Sequence, residues 1–224
     1  MLGLRQQLTG TKTTKAGGNH RRKLLKKSIR KLDINVAVPT TSFTAHTTDI
    51  PGLLWFDVSS ISDERGFYQE NFQREKLVTA GLPETFNIVQ NNISYNKSTG
   101  VTRGFHAEPW DKYISIAAGK VFVAYVDLRA GDSFGKTVTL ELDNNKAVYL
   151  PRGVANSFQV LEDDTYYLYS VNAHWSADKY DEYLFVNLAD PAIGVNWPID
   201  LATAVLSERD RNHPLLSAIK PVEA

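Results

Sequence analysis

No cysteine occurs among the 224 residues of this chain. That absence removes disulfide frameworks, thiolate nucleophiles, iron–sulfur clusters and every zinc site that needs a Cys ligand. It fits a reducing compartment, and a cytoplasmic location is expected. Long apolar runs are missing too: nothing approaches the ~20 consecutive apolar residues of a membrane-spanning helix, and the N-terminus lacks the apolar core of a signal peptide. A soluble protein without a membrane partner is expected. Net charge is also lacking, with 25 Lys+Arg against 25 Asp+Glu. At 42% hydrophobic residues the composition is that of one globular domain, or at most two.

The neutral total hides an asymmetry. Residues 1–32 carry ten Lys or Arg, from Arg5 to Lys31, and no acid, which leaves fifteen bases against twenty-five acids in the remainder. Such a like-charged stretch has too little apolar surface to offset the entropy of ordering. Residues 1–33 are therefore expected to be a disordered basic tail, and 34–224 the folded domain. The tail suits a polyanion-binding arm, an organelle-targeting peptide or a plain solvated extension, and no specific nucleic-acid partner is expected.

From about Ile34 onward the texture changes to short runs rich in Val, Ile, Tyr, Phe and Thr, broken by turn residues. Strands are expected at 53–59, 66–72, 86–94, 101–106, 113–117, 121–127, 137–142, 147–150, 157–160 and 166–171. One helix is expected at 74–80, stopped by Gly81. Many short strands with few helices predict an all-β sandwich or barrel, with Gly119, Gly135 and Gly153 where a jelly roll turns its corners.

Four clusters place polar residues where packing alone would not. Asp63-Glu64-Arg65-Gly66-Phe67 leads to Glu70. Gln90-Asn91-Asn92-Ile93-Ser94 packs amides into a strand, where Asn is depleted. Arg103-Gly104-Phe105-His106 is followed by Lys112. Tyr169 and Leu206-Ser207-Glu208-Arg209-Asp210 lie far downstream. Singly, each has a plain structural reading: a surface ion pair for Arg65 and Glu70, a bulge or loop for Asn91-Asn92, a satisfied strand-end histidine for His106. Together, Arg103, His106 and Lys112 supply two cations and one group titrating near neutrality, suited to holding a phosphorylated ligand and moving a proton on it.

These segments resemble the dTDP-4-dehydrorhamnose 3,5-epimerases. The resemblance runs from about Asp57 to Leu216. Besides the clusters above, it is carried by the runs Val126 to Arg129, Ser133 to Gly135, Leu150 to Gly153, Asp190-Pro191 and Asn196 to Pro198. It implies a cupin-type jelly roll (a double-stranded β-helix with short peripheral helices), a homodimer that exchanges N-terminal strands, and epimerisation of a dTDP-4-keto-6-deoxy sugar with no cofactor and no metal. The sequence agrees on metal in its own way. Metal-binding cupins use closely spaced histidines, whereas the second position after His106 is Glu108 and the other histidines are His20, His46, His174 and His213.

By this resemblance His106 is the base, Asp210 its carboxylate partner, Lys112 the cation at the keto oxygen and Tyr169 the acid on the opposite face. Arg65 and Arg103 match the arginines that grip the pyrophosphate, and Glu70, Gln90 and Asn92 match positions at the nucleotide end. The thymine platform falls at His174 or Trp175, of which Trp175 covers a pyrimidine better. Departures are Asn156-Ser157 where the family has His-Gly, Ser170 where it has Lys, and Glu108 where it has Gln. A 3-epimerase, a ketoisomerase and a non-catalytic nucleotide-sugar-binding cupin are the alternatives. Loss of His106 or Tyr169 would mark the last, and neither is lost. A C-terminus of Lys220 to Ala224 just past the last motif would permit fusion to, or association with, a dTDP-4-dehydrorhamnose reductase.

Overall fold

The computed structural model describes residues 40–223, so the basic segment 1–33 lies outside the described residues. The elements are β1 (Phe43–Thr47), β2 (Leu54–Val58), β3 (Ser60–Asp63), β4 (Gly66–Gln69), α1 (Arg74–Ala80), β5 (Gln90–Asn96), β6 (Thr102–Ala107), β7 (Lys112–Ala118), β8 (Val121–Asp127), β9 (Thr137–Leu142), β10 (Lys146–Leu150), β11 (Val154–Val160), β12 (Thr165–Val171), β13 (Leu184–Phe185) and α2 (Glu208–Arg211). A six-stranded sheet runs in the order β1-β2-β10-β7-β12-β5 and a five-stranded sheet in the order β13-β6-β11-β8-β9. The expected all-β jelly roll is what the chain adopts. No helix among the described residues is long and apolar enough to cross a membrane.

Three apolar clusters hold it. Ile114, Ile116, Val148, Leu150 and Tyr167 of the larger sheet meet Val121, Val123, Tyr125, Val154 and Phe158 of the smaller one and fill the interior. On the outer face of the smaller sheet, Phe105, Ala124, Val126 and Ala155 are covered by Val186, Leu188, Ile193 and Leu216. On the outer face of the larger, Phe56, Tyr113, Ala147 and Tyr149 are covered by Leu77, Leu82 and Phe86.

The helix α1 spans the expected residues. Gln73 caps its start by accepting from the Lys76 amide at 2.7 Å, and Gly81 ends it at φ 125°. Several strand bounds differ from expectation. Pairing of β5 starts at Gln90 because Phe86 and Ile88 are spent packing on the outer cluster. β4 stops at Gln69, and β3 and β4 form a hairpin sheet of their own. β11 begins three residues early, at Val154, directly after the Pro151-Arg152-Gly153 turn.

Candidate active site

Along β5 the alternation is inverted. Gln90, Asn92, Ser94 and Asn96 face inward, while Ile93 (65% exposed) and Tyr95 (48%) face out. A polar inner row on an edge strand leaves the open end of the sandwich wet, and two cavities are lined by it.

The opposite wall comes from β6. Asn156 of β11 pairs with His106, but Phe158 pairs with Arg103, so β6 uses three residues where β11 uses two. Residues three apart on a regular strand point to opposite faces. The bulge absorbs the extra residue, and Arg103 and His106 both line one cavity of about 190 Å³. Gly104 makes this close approach feasible: at φ +118°, a Cβ there would stand 2.6 Å from the Asn156 carbonyl oxygen.

Asp210 reaches His106 across 104 positions of sequence. Ser207 caps α2 by accepting from the Asp210 amide at 3.1 Å, which turns the Asp210 side chain inward at a buried position. Its Oδ1 lies 2.8 Å from His106 Nε2. Burial pushes the Asp210 carboxyl up, but hydrogen bonds from His106, Ser207 and His213 outweigh it and hold it below the usual carboxylate value. An ionised carboxylate only accepts, so His106 Nε2 donates to it, and in the neutral tautomer Nδ1 holds the lone pair.

Lys112 opens β7 and is buried in the same cavity, where its Nζ donates to Asn156 Oδ1 at 2.9 Å and pairs with the Glu108 carboxylate. Burial pulls the Lys112 ammonium down to about 7 even with the Glu108 carboxylate beside it. Asn156 thus anchors the lysine in the cavity. Tyr169, on β12 of the larger sheet, completes the lining with Lys112 Nζ 5.8 Å from its ring centroid. Burial raises its phenol above the ordinary value against a smaller opposing pull from Arg103, so it is protonated at neutral pH.

Glu108 and Tyr169 are shared with a second hollow of about 420 Å³, which Gln90, Asn92, Trp110 and Trp175 also line. Gln90 Oε1 accepts from the Trp175 amide at 2.9 Å and Gln90 Nε2 donates to Asn92 at 2.8 Å. Of the two candidates, Trp175 lines this hollow and His174 does not.

Arg65 and Glu70 are not brought to either cavity within one chain. Arg65 sits at the β3–β4 turn, its Nε 3.1 Å from Asp63, because the two-residue spacing closes a local ion pair. Glu70 pairs with Lys76 of α1 and with Thr41. Two residues were missed by sequence reasoning. Glu108 was legible only as a departure, and His213 carried no signal beyond lying three residues after Asp210. Ligating atoms of His106, Asp210 and His213 lie within 4.8 Å of one another, closer than the expected absence of a histidine near His106 allowed. Both imidazoles are hydrogen-bonded to the one carboxylate oxygen.

A jelly roll with an imidazole–carboxylate pair on one wall and a protonated phenol and a lysine on the other has the groups that proton transfer needs. Residues 47–218 match the dTDP-4-dehydrorhamnose 3,5-epimerase family, and the chain belongs to that family. It is 50% identical over 179 residues to a protein RmlC homolog of Streptococcus pyogenes serotype M6, covering 78% of this chain and 90% of that one. The solved structure of RmlC from Streptococcus suis in complex with dTDP-D-xylose matches with a TM-score of 0.77 at 46% identity, over 81% of this chain and 95% of the other. RmlC from Legionella pneumophila in complex with dTDP-4-keto-L-rhamnose matches with a TM-score of 0.72 at 29% identity, over 80% and 95%.

Proposed function

We propose that this chain inverts C3 and C5 of dTDP-4-dehydro-6-deoxy-D-glucose, yielding dTDP-4-dehydro-L-rhamnose without a cofactor. The observation that carries the reading is that His106 and Tyr169 stand on opposite sheets and line one cavity. The C4 ketone acidifies the hydrogens on C3 and C5. His106 Nδ1 takes such a proton, and the electron pair moves into an enolate whose oxygen is stabilised by the Lys112 ammonium. Asp210 favours the imidazolium that forms. Tyr169 returns a proton from the other face and is itself reprotonated by water, while His106 gives its proton up, so the carbon is inverted and the enzyme restored. Arg103 takes the pyrophosphate, with Gln90, Asn92 and Trp175 at the nucleotide end.

The acting form on this reading is a homodimer. The β3–β4 hairpin forms a sheet of two strands with Phe67 54% and Tyr68 63% exposed, and such a hairpin is marginal alone. Ile93, Tyr95 and Tyr166 add an apolar outer face beside β5. In the dimer the hairpin brings Arg65, with Glu70 just beyond it, to the partner's pocket.

Incubation with the 4-keto sugar in D₂O, followed by NMR, tests the reading. Deuterium is expected at both C3 and C5 with inversion of both, and His106→Ala is expected to abolish both exchanges while dTDP binding stays within a few-fold. Exchange at C3 alone would reassign the chain as a 3-epimerase, and exchange surviving in His106→Ala would remove His106 from the role.

A further inference from the structure

His213 follows α2 and is 8% exposed. Its Nε2 lies 3.1 Å from Asp210 Oδ1, the oxygen that His106 Nε2 approaches at 2.8 Å. The ring is fixed: it stacks on Phe185 with centroids 4.8 Å apart and planes at 17°, and Phe185 meets the His106 ring edge-on at 5.4 Å. The Asn187 side-chain amide donates to the His213 carbonyl at 3.1 Å, and the Asn187 backbone to that of Pro214 at 2.8 Å. One carboxylate oxygen therefore serves two imidazoles held by a common aromatic.

We infer that His213 is a positioning residue that sets the basicity of His106 by taking a share of the Asp210 carboxylate. A second N–H on Oδ1 withdraws charge that would otherwise stabilise the His106 imidazolium, so the base stays free at lower pH. The donor role needs a proton on His213 Nε2, which the neutral ring carries in that tautomer. Burial pushes its ring below the ordinary imidazole value, with Asp210 pulling the other way. The charged and titratable groups facing it are Asp210 and Arg209 from α2 and His106 from β6, whereas β13 presents Phe185. Arg209 is engaged with Tyr180.

The inference rests on His106 being the base. Its test is the pH profile of kcat in His213→Phe, which keeps the stack on Phe185 and deletes the donor, and in His213→Gln, whose amide can restore it. In His213→Phe the acidic limb, where activity rises with pH, is expected to move up by about half a unit to one unit, in line with the loss of one hydrogen bond to a charged group. His213→Gln is expected to return it. A uniform loss of kcat with the limb unmoved, or a limb displaced alike in both variants, would overturn the role and leave His213 structural. NMR of the wild-type ring nitrogens keeps the idea open to disproof even if neither variant folds: neutral His213 protonated at Nε2 is expected, and protonation at Nδ1 overturns it. Stoichiometric metal in the purified enzyme, lost in His213→Gln, would overturn it as well by making these side chains ligands. The NMR titration of the His106 ring in His213→Phe is expected to show the same upward displacement. That readout tests the coupling even if exchange survives in His106→Ala, so the two failures are distinguishable.

Discussion

Tyr169 and Glu108 are the two residues whose chemistry separates most cleanly by substitution. Tyr169→Phe keeps the ring between Lys112 and the second hollow but removes the proton donor. Deuterium is expected to wash in from the His106 side while net inversion falls by at least about a hundredfold, as for loss of a general acid. Inversion at the wild-type rate would move the acid elsewhere, with Tyr167 next. Glu108→Gln tests a pH effect. Lys112 is buried, and desolvation brings its ammonium down to about 7 with the Glu108 carboxylate already beside it. A depressed lysine loses its charge as pH rises, so the wild type is expected to lose activity as pH climbs through about 7, and in Glu108→Gln, without the neighbouring carboxylate, the fall is expected at lower pH. A kcat profile from pH 6 to 9 reads the difference, and superimposable profiles would show that Glu108 does not hold the lysine charged.

At the scale of elements, β6 is where local sequence and tertiary structure meet most sharply. A Cβ on residue 104 would stand 2.4 Å from the Ser157 Cβ and 2.6 Å from both the Ser157 Cα and the Asn156 oxygen, at a φ of +118° that L side chains avoid. Gly104→Ala is expected to cost about 2–4 kcal/mol and to depress turnover along with it, measured by urea midpoint and kcat. An unchanged midpoint would mean that β6 and β11 can part at no cost. Much of this level was legible beforehand. Periodicity found β8 and β9 at their observed ends, and the Gly81 signal closed α1 where expected. What was not legible has a physical cause. The run at 86–94 has strand composition, yet Phe86 and Ile88 are consumed by the outer cluster before pairing begins. β1 carries Thr-Ala-His-Thr, a weak pattern that becomes a strand because β2 offers it an edge. Nor does spacing alone reveal that Arg103 and His106 share a face, since only the pairing with β11 exposes the bulge.

For the whole molecule the open question is which side chains one chain supplies to its own site. His106, Lys112, Tyr169 and Asp210 were readable by resemblance and converge here. His213 was not, because its partnership with Asp210 depends on how the segment after α2 folds back over β13. Arg65 belongs to the hairpin, and on the dimer reading it serves a second copy. Arg65→Ala and His106→Ala, each nearly inactive alone, are therefore expected to recover about a quarter of wild-type activity after co-refolding in equal amounts. Half of the dimers are then mixed, and one of the two sites in each is intact. No recovery would place Arg65 outside the partner's site.

The bulge on β6 also changes what a motif match means. Along a strand, even and odd positions are two separate tracks, one inside and one outside, and at Gly104-Phe105 the chain switches tracks once. A relative lacking one residue between Arg103 and His106 would retain the arginine, the histidine, the downstream lysine and the tyrosine. It would also have a regular β6, with either its cation or its base turned out of the cavity. For this strand the count of residues between two motif positions carries as much functional information as their identity, and a one-residue deletion would do more harm than most substitutions within it.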